Sequence, residues 1–405
     1  FYRQLSRASD LTRSASLTLV ILNIDGFKHY NAALGVELAD RLLAKIAARL
    51  AKICGEPSIL ARWSADEFIV LLPASTLPQD SLAFGNRLIE TVGREMTLGL
   101  EPLSISATCG IAQDCCPCSA AELVRRATLA LINGKETGRG SAHCWTQSLE
   151  GASSARQRAI ICVTQSLANG HAHASYQPIV ELETGTVVGV EALLRLQTED
   201  GQEITGSDIF PAIADPLVSR KIFHFMVEQL ARDAPDILFR YGANCQIGLN
   251  VSEADMRCAP GEDDFVNILT TLTRRSSLNP SNIVLEITES MLLLDDQGLI
   301  RDGLRALDRL GYVIALDDFG TGYSSLTHLR DFPIRKVKID KSFVAKIAVN
   351  HQCRMIIQAI VQMGRSLGLD VVAEGVENAN EEMFLRAVGC ELAQGYRYGR
   401  PERIA

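Results

Sequence analysis

The chain has 405 residues, of which 47% are hydrophobic, so it is longer than one hydrophobic core normally serves and apolar enough to fill two. Its formal net charge is −8 and no basic patch stands out, which excludes the usual pattern of a protein that binds a nucleic-acid polymer. No apolar run approaches the roughly 18 residues that cross a bilayer, so we expect no membrane contact within this part of the protein.

The termini and the cysteines indicate where the protein is found. The chain opens on Phe1 rather than Met, so we expect a piece of a longer protein whose preceding part carries a sensor or a membrane anchor. Eleven scattered cysteines are typical of a reducing cytoplasm. Cys115 to Cys118 has C-x-x-C spacing without a second pair or a nearby histidine, which favours a reduced loop over a metal or redox role.

The first half of the chain contains alternating strand and helix patterns. Residues 17–24 form an apolar strand that ends in Asn23-Ile24-Asp25. An amphipathic helix follows, with one apolar face formed by Leu42, Leu43, Ile46, Ala47 and Leu50. Residues 59–72 then read as a hairpin whose turn is Ser64-Ala65-Asp66-Glu67. The pattern continues to Gly134–Arg139 and predicts an α+β domain.

The segment from Glu150 to Ala155 is small and polar, which is typical of a domain boundary. We therefore predict two domains, residues 1–150 and 155–405. Residues 1–150 hold equal numbers of basic and acidic side chains, so the acid excess lies in the second domain. That excess suits carboxylates collected around cations, and surface acidic residues explain it equally well.

Short apolar strands alternate with helical stretches through the second half, and most strands end in a polar residue. The residues at these ends are Glu191, Asn250, Glu286, Asp317, Asp318, Lys338, Glu374 and Gln394. Strands alternating with helices predict a mainly parallel sheet. Functional residues at the ends of successive strands, over about 250 residues, predict a TIM-type (β/α)8 barrel with its active site at one rim.

The run from Ala315 to Ser325 is the most informative of these strand ends. It delivers two adjacent carboxylates, Asp317 and Asp318, and then a glycine-rich loop. Neighbouring strand residues point to opposite faces, so the two carboxylates are expected to splay apart and reach different cations. Oxygen ligands of this kind suit hard divalent metals.

These motifs, in this order, resemble those of the tandem GGDEF–EAL proteins of bacterial cyclic-di-GMP signalling. The second half is similar to the EAL phosphodiesterase domain over about 230 residues, from the Gln177-Pro178-Ile179-Val180 opening through Glu191-Ala192-Leu193 to Gln394-Gly395-Tyr396. The first half is similar to a degenerate GGDEF, or diguanylate cyclase, domain. The resemblance implies a nucleotidyl-cyclase-like α+β domain with a ferredoxin-like palm, followed by an EAL-type barrel.

The resemblance assigns roles residue by residue in the second half. Glu191, Asn250, Glu286 and Asp317 match the ligands of one metal, and Asp317 with Asp318 matches those of a second. Glu374 matches the residue that holds metal-bound water, and Lys338 the residue that contacts the attacking water. Gln177 and Arg195 match substrate contacts, and Gln394 completes the site. Glu289 and the loop from Phe319 through Gly320 to Ser325 match elements that connect the metals to the dimer interface; for Phe319 and Tyr323 we expect packing.

The GGDEF-like half departs from its family pattern at the positions that carry catalysis. Ser64-Ala65 replaces the signature glycine pair, although Asp66-Glu67-Phe68 is retained. Glycine is needed where the backbone approaches a ligand closely, so these side chains are expected to crowd a nucleotide. Asn23 replaces a metal-binding aspartate, and residues 55–58 lack the Arg-x-x-Asp inhibitory site. We therefore expect no cyclase activity.

Some nucleotide-binding positions remain in that half. Asn31 and Asp40 match guanine-recognition positions, and Lys28, Lys135 and Arg139 match phosphate contacts. Two interpretations stay open: the domain binds GTP without turnover and regulates the EAL half, or it is a relic scaffold for dimerisation.

The expected function is hydrolysis of cyclic-di-GMP to linear 5′-pGpG. Two bridged cations, Mg²⁺ or Mn²⁺, would supply activated water and positive charge, whereas Ca²⁺ prefers a looser shell and would inhibit. The resemblance also implies a homodimer through the EAL domain. The alternative function is a non-catalytic cyclic-di-GMP receptor, and a cyclase or bifunctional enzyme is disfavoured by Asn23 and Ser64-Ala65.

Overall fold

The computed structural model describes residues 17–73, 81–94, 96–98, 101–103, 105–113, 119–198, 202–257, 265–293, 298–320 and 326–404. The chain forms two compact units, Phe1–Ala155 and Arg156–Ala405. Each unit has its own hydrophobic core, and each is described separately below. The loop at 321–325, including Tyr323, and the cysteines at 115–118 lie outside the described residues.

The first unit is a five-stranded sheet covered by helices, as the sequence predicts. Its strands follow the spatial order β2-β3-β1-β6-β7 and are antiparallel except for the β6–β7 pair. In chain order the elements are β1 (Leu17–Ile24), α1 (Phe27–Leu34), α2 (Val36–Cys54), β2 (Ile59–Arg62), β3 (Glu67–Pro73), α3 (Ser81–Gly93), β4 (Met96–Leu98), β5 (Glu101–Leu103), β6 (Ala107–Gln113), α4 (Ala120–Thr137) and β7 (Ala142–Cys144).

Strand β1 is central because all eight of its residues are buried. Val20, Leu22 and Ile24 pack into one apolar cluster, whereas Leu19 and Ile21 pack into another on the opposite face. This alternation places helices against both faces of the sheet. The predicted helix and hairpin are confirmed: α2 buries its apolar stripe, and β2 pairs with β3 across the predicted turn.

The second unit is a closed eight-stranded barrel. Its elements are α5 (Gln147–Ala168, which begins in the first unit), β8 (Ala172–Glu181), β9 (Val187–Gln197), β10 (Glu203–Ile204), α6 (Gly206–Ile213), α7 (Pro216–Tyr241), β11 (Gln246–Asn250), α8 (Glu253–Met256), α9 (Phe265–Arg275), β12 (Ile283–Thr288), α10 (Glu289–Leu293), α11 (Leu299–Arg309), β13 (Val313–Phe319), α12 (Leu326–Asp331), β14 (Lys336–Ile339), α13 (Lys341–Val344), α14 (His351–Leu367), β15 (Asp370–Ala373), α15 (Ala379–Ala387) and β16 (Leu392–Gln394).

Strands β9 and β11 to β16 run parallel in chain order, and β8 closes the barrel between β16 and β9. The prediction of a mainly parallel TIM-type barrel is confirmed. Strand β8 is the exception, because it pairs antiparallel with both neighbours. Only five residues, 182–186, connect the end of β8 to the start of β9, which is hairpin length; a parallel crossover needs a dozen or more.

The segment Glu150–Ala155, predicted as a domain boundary, is helical. This segment lies inside helix α5, and the two units divide at Ala155 and Arg156 within the same helix. Alanine, glutamine and arginine on either side are strong helix formers, and Ala159 and Val163 are buried in the following turns. Small polar residues therefore mark an exposed helical stretch here. Among the described helices, none combines the length and apolar character needed to cross a bilayer.

Gly110 of β6 allows the first unit's sheet to pack closely on α4. A Cβ atom at Gly110 would collide with the main chain of α4 at Ala127 and Leu131. We expect Gly110→Ala to lower the free energy of unfolding of this unit by about 1–3 kcal/mol. Urea unfolding followed by tryptophan fluorescence measures it, because both tryptophans, Trp63 and Trp145, belong to this unit.

The matched control for that substitution is Gly151→Ala in helix α5. A Cβ at Gly151 would meet nothing within 4 Å, so the change should stabilise the helix by about 0.5–1 kcal/mol. Equal unfolding midpoints for the two variants would contradict the packing role of Gly110.

Candidate active site

The carboxyl ends of the barrel strands bring most of the sequence-predicted site residues together. The parallel register pairs Asn250 with Glu286 and places Asp317 beside Thr288 at the end of β12. On the antiparallel pair, Gln177 of β8 lies opposite Glu191 of β9. Because parallel strands end at the same rim, residues far apart in sequence become neighbours here.

The ammonium group of Lys338 lies among four carboxylates. Its Nζ is 2.7 Å from Glu286 Oε2, 2.7 Å from Glu374 Oε1, 3.2 Å from Glu191 Oε2 and 3.4 Å from Asp317 Oδ1. The Lys338 side chain is only 1% exposed. Four acidic groups around one buried cation leave a surplus of negative charge at this rim.

Side-chain amides fix the orientation of Glu191. Asn250 donates from Nδ2 to Glu191 Oε1 at 3.0 Å, and Gln394 donates from Nε2 to Glu191 Oε2 at 2.6 Å. The Gln394 amide also donates to Gln177 Oε1 at 3.1 Å, and Gln177 donates to the carbonyl of Gly399 at 3.2 Å. The Asn250 amide is thereby held beside Glu191 through its nitrogen.

The pKa values of the acids in this cluster shift in opposite directions. Burial opposes ionisation of Glu191, but Lys338, Gln394 and Asn250 outweigh it and hold the pKa of this carboxyl below its ordinary value. Burial and the neighbouring Glu191 raise the pKa of Glu286 well above its ordinary range. Burial, opposed by Lys338, raises the pKa of Glu374 to about 8. One ammonium therefore cannot keep the whole cluster ionised.

Lys338 itself is held in the charged form. Burial acts to lower its pKa, but the four surrounding carboxylates outweigh burial and raise that pKa well above the ordinary value of a lysine.

Asp317 and Asp318 meet in the structure instead of splaying apart. Oxygens of Asp317, Asp318 and Glu374 all lie within 4.8 Å of one another. Asp318 has φ of 53°, and the β13–β14 register shifts between Leu316 and Phe319. The alternation expected of a regular strand is therefore broken at this position, and both carboxylates face one site. The expectation that the two carboxylates splay apart is therefore wrong. Their joint presence at a candidate cation site agrees with the sequence.

The donor set fits divalent cations. Burial, followed by Asp317 and Asp340, raises the pKa of Asp318 to about 6. The described residues offer carboxylate oxygens from Glu191, Glu286, Asp317, Asp318 and Glu374 and an amide oxygen from Asn250. Mg²⁺ and Mn²⁺ prefer oxygen ligands of this kind.

Glu289 acts on the loop beside the site. Its carboxylate is buried, and its Oε1 accepts a hydrogen bond from the backbone N–H of Gly320 at 2.9 Å. Gly320 has φ of 97°, and a Cβ there would approach the ring of Phe343 to 3.1 Å, so glycine is needed. Phe319 is buried in the barrel core, in agreement with the packing role expected of it.

Arg195 lies apart from the carboxylate cluster. Its Nε is 3.1 Å from Glu203 Oε1, and its Nη1 donates to the carbonyl of Leu194 at 3.0 Å. Glu203 is not among the residues predicted from sequence. Neither is Gly248 of β11, where a Cβ would lie 2.9 Å from Glu286 Cδ and would collide with Glu286 Oε1. A glycine inside a strand was the available signal for Gly248.

In the first unit, two neutral side chains contact Glu67 at the end of the hairpin turn. Asn23 donates from Nδ2 to Glu67 Oε1 at 3.4 Å, and Ser64 donates from Oγ to Glu67 Oε2 at 3.1 Å. The guanidinium of Arg62 donates to the carbonyls of Ser64 and Ala65 at 3.1 and 2.8 Å. The hairpin turn is thus stabilised by contacts within the protein.

The five predicted nucleotide-binding residues are not joined to one another. Lys28, Asn31, Asp40 and Arg139 are exposed, and Lys135 is half-buried in the last turn of α4. Asp40 lies 3.9 Å from Arg62, with both side chains exposed. No hydrogen bond or ion pair links any two of the five within the described part of the chain.

Comparisons with known proteins agree with this architecture. The EAL domain family matches residues 162–401, and the family "Diguanylate cyclase, GGDEF domain" matches residues 1–141. The chain belongs to the tandem GGDEF–EAL family. This GGDEF–EAL protein is similar to two Pseudomonas aeruginosa proteins. One is the "Bifunctional diguanylate cyclase/cyclic di-GMP phosphodiesterase MucR", 32% identical over 388 residues, covering 95% of this chain and 55% of MucR.

The second relative is the "Cyclic di-GMP phosphodiesterase NbdA", 30% identical over 400 residues, covering 97% of this chain and 50% of NbdA. The chain thus spans about half the length of these relatives. A solved structure described as "PaMucR Phosphodiesterase, c-di-GMP complex" matches with 33% identity and a TM-score of 0.56, covering 60% of this chain and 97% of that structure.

Removing the central ammonium tests the charge balance of the site. In Lys338→Met four carboxylates, two of them buried, lose their shared cation, so we expect a lower Tm in EDTA than for wild type. Mg²⁺ or Mn²⁺ should raise the Tm of the variant more than that of wild type, because a cation then replaces the missing charge. Calorimetric melting with and without metal provides the measurement.

The control is Lys346→Met, which removes an exposed lysine from the same unit. Its Tm and metal response should equal those of wild type. A Lys338→Met protein with the wild-type metal response would show that the cations do not reach this cluster.

Proposed function

We propose that residues 156–405 of this GGDEF–EAL protein hydrolyse cyclic-di-GMP to linear 5′-pGpG. The observation that carries the proposal is the convergence of Glu191, Glu286, Asp317 and Glu374 on Lys338 at the carboxyl rim of an EAL barrel. The names of MucR and NbdA, and the cyclic-di-GMP complex of PaMucR, support this choice of substrate.

We infer that two cations, Mg²⁺ or Mn²⁺, bind at this rim. Glu191, Asn250, Glu286 and Asp317 would hold one, and Asp317 with Asp318 would hold the other. Such ions lower the pKa of bound water and neutralise phosphoryl oxygens. Ca²⁺ prefers a larger and looser oxygen shell, so we expect it to inhibit.

The remaining residues act on water and substrate. The Lys338 ammonium is the only described cation within salt-bridge distance of the carboxylate cluster, and it would orient the attacking water and balance charge that develops on phosphate. Glu374, whose Oε1 is 2.7 Å from Lys338 Nζ, would hold the metal-bound water. Gln177 and Arg195 would hold the substrate, while Gln394 keeps Glu191 in its orientation.

We propose that the GGDEF-like unit is regulatory and is not a cyclase. Asn23 brings no charge to the position of a metal-binding aspartate, and Ser64 and Ala65 put side chains where phosphates need close backbone approach. Bonds from Asn23 and Ser64 already occupy both oxygens of Glu67. The exposed guanine-recognition positions Asn31 and Asp40 leave GTP binding as the proposed regulatory signal.

A second candidate function is a cyclic-di-GMP receptor without turnover. Receptors of this family usually lose metal ligands, whereas this chain keeps Glu191, Asn250, Glu286, Asp317 and Asp318. The enzyme is therefore favoured. We further propose a homodimer through the barrel, a cytoplasmic location for this part of the protein and an upstream sensor in the longer protein, all from family resemblance.

Product analysis distinguishes the two functions. Purified protein with cyclic-di-GMP and Mg²⁺ or Mn²⁺ should yield pGpG on chromatography, whereas Glu191→Gln should reduce the rate at least about 100-fold, because it removes a metal-binding charge and a partner of Lys338. Glu228→Gln is the control, since Glu228 lies in an exposed ion pair with Arg275 and should keep the wild-type rate. Tight binding without product would indicate the receptor, and neither binding nor product would contradict the proposal.

Calorimetry tests the regulatory role of the GGDEF-like unit. We expect wild type to bind GTP, and Asp40→Ala to bind it at least about tenfold more weakly, because a carboxylate that accepts hydrogen bonds from guanine is lost. Glu90→Ala changes an exposed acid on α3 and should leave binding unchanged. No binding at millimolar GTP would favour the scaffold interpretation.

A further inference from the structure

Arg195 lies on the same strand face as the centre of the candidate site. On β8 and β9, Gln177 is opposite Glu191, and four residues along each strand His173 is opposite Arg195. Strand side chains repeat every two residues, so these two cross-strand pairs share a face. Arg195 therefore extends the row that begins with Glu191 towards the rim of the barrel.

Two oxygen atoms contact the guanidinium of Arg195. Glu203 Oε1 forms an ion pair with Nε at 3.1 Å, and the Leu194 carbonyl accepts a hydrogen bond from Nη1 at 3.0 Å. Glu203 is held in turn by β10, whose pairing places it opposite Gln197 on β9. Within the described residues neither of these contacts uses Nη2 of Arg195. The side chain is 12% exposed, so few other orientations are open to it.

A second guanidinium lies near this ion pair. Arg403 Nη2 lies 2.8 Å from Nδ1 of His173, and His173 is electrostatically influenced by Arg403, Glu203 and Arg195 together. Glu203 is 51% exposed, so its ion pair with Arg195 orients the guanidinium without cancelling the positive charge of Arg195.

We propose that Glu203 is a positioning residue for substrate: it holds Nε of Arg195 so that the Nη2 edge meets a phosphate oxygen of the cyclic dinucleotide. This inference rests on the proposed function, because it takes Arg195 as a substrate contact. Guanidinium groups bind phosphate through paired N–H donors in a fixed plane, so their orientation decides whether the contact forms. Glu203 would then affect substrate binding and leave the chemical step unchanged.

Two substitutions of Glu203 separate positioning from charge. Glu203→Ala removes the acceptor and frees the guanidinium, so KM for cyclic-di-GMP should rise about tenfold while kcat stays within twofold. Glu203→Gln keeps an acceptor oxygen without the charge and should restore KM to within about threefold of wild type. If the carboxylate instead competes with phosphate for Arg195, both variants lower KM, which overturns the proposal.

A double-mutant cycle tests whether Glu203 affects KM through Arg195. In an Arg195→Ala background, Glu203→Ala should change KM no further, because its effect passes through the missing guanidinium. An equal rise of KM in both backgrounds would overturn the proposal and indicate a general disturbance of β10. Equal melting temperatures for wild type and Glu203→Ala show that folding is intact.

The same variants distinguish this inference from the proposed function. The dissociation constant of cyclic-di-GMP, measured by calorimetry with Ca²⁺ in place of Mg²⁺, should follow the order found for KM. If wild type hydrolyses or binds the dinucleotide and Glu203→Ala equals it, only the role of Glu203 fails. If wild type does neither, the proposed function and the role of Glu203 both fail.

Discussion

The contact between Lys338 and its four carboxylate partners is the constraint on which the rest of the barrel site depends. Each partner comes from a different strand, so the cluster exists only once the sheet has closed. Burying these charges costs free energy that one ammonium does not offset, as the raised pKa of Glu286 indicates. The apolar core around the barrel, which contains Val190, Leu249 and Ile287, must stabilise the frame that holds them together.

Most of this arrangement could be predicted from sequence because parallel strands share a rim. Glu191, Asn250 and Glu286 each lie within or at the end of an apolar strand, and the closed sheet brings such positions together whatever their distance in sequence. Side-chain placement within the rim could not be predicted. The positive φ of Asp318 and the register shift beside it depend on packing between β13 and β14, which strand periodicity does not encode. The roles of Gly248 and Glu203 follow from their contacts with Glu286 and Arg195, which only the structure shows.

The first unit shows the opposite relation between sequence and chemistry. Its fold was predictable because β1 is mostly apolar and α2 has one apolar stripe. Both patterns arise from packing and do not depend on catalytic residues. The hairpin turn retains Glu67 but surrounds it with neutral donors, Asn23 and Ser64. The helical structure of Glu150–Ala155 could not be predicted from sequence, because small residues occur both in loops and in exposed helices.

The two units therefore place charge differently. In the first unit both oxygens of Glu67 already accept hydrogen bonds from the neutral side chains of Asn23 and Ser64. In the barrel four carboxylates surround the single ammonium of Lys338. Burial and repulsion between these acids raise the pKa of Glu286, so the barrel site favours any further partner of positive charge.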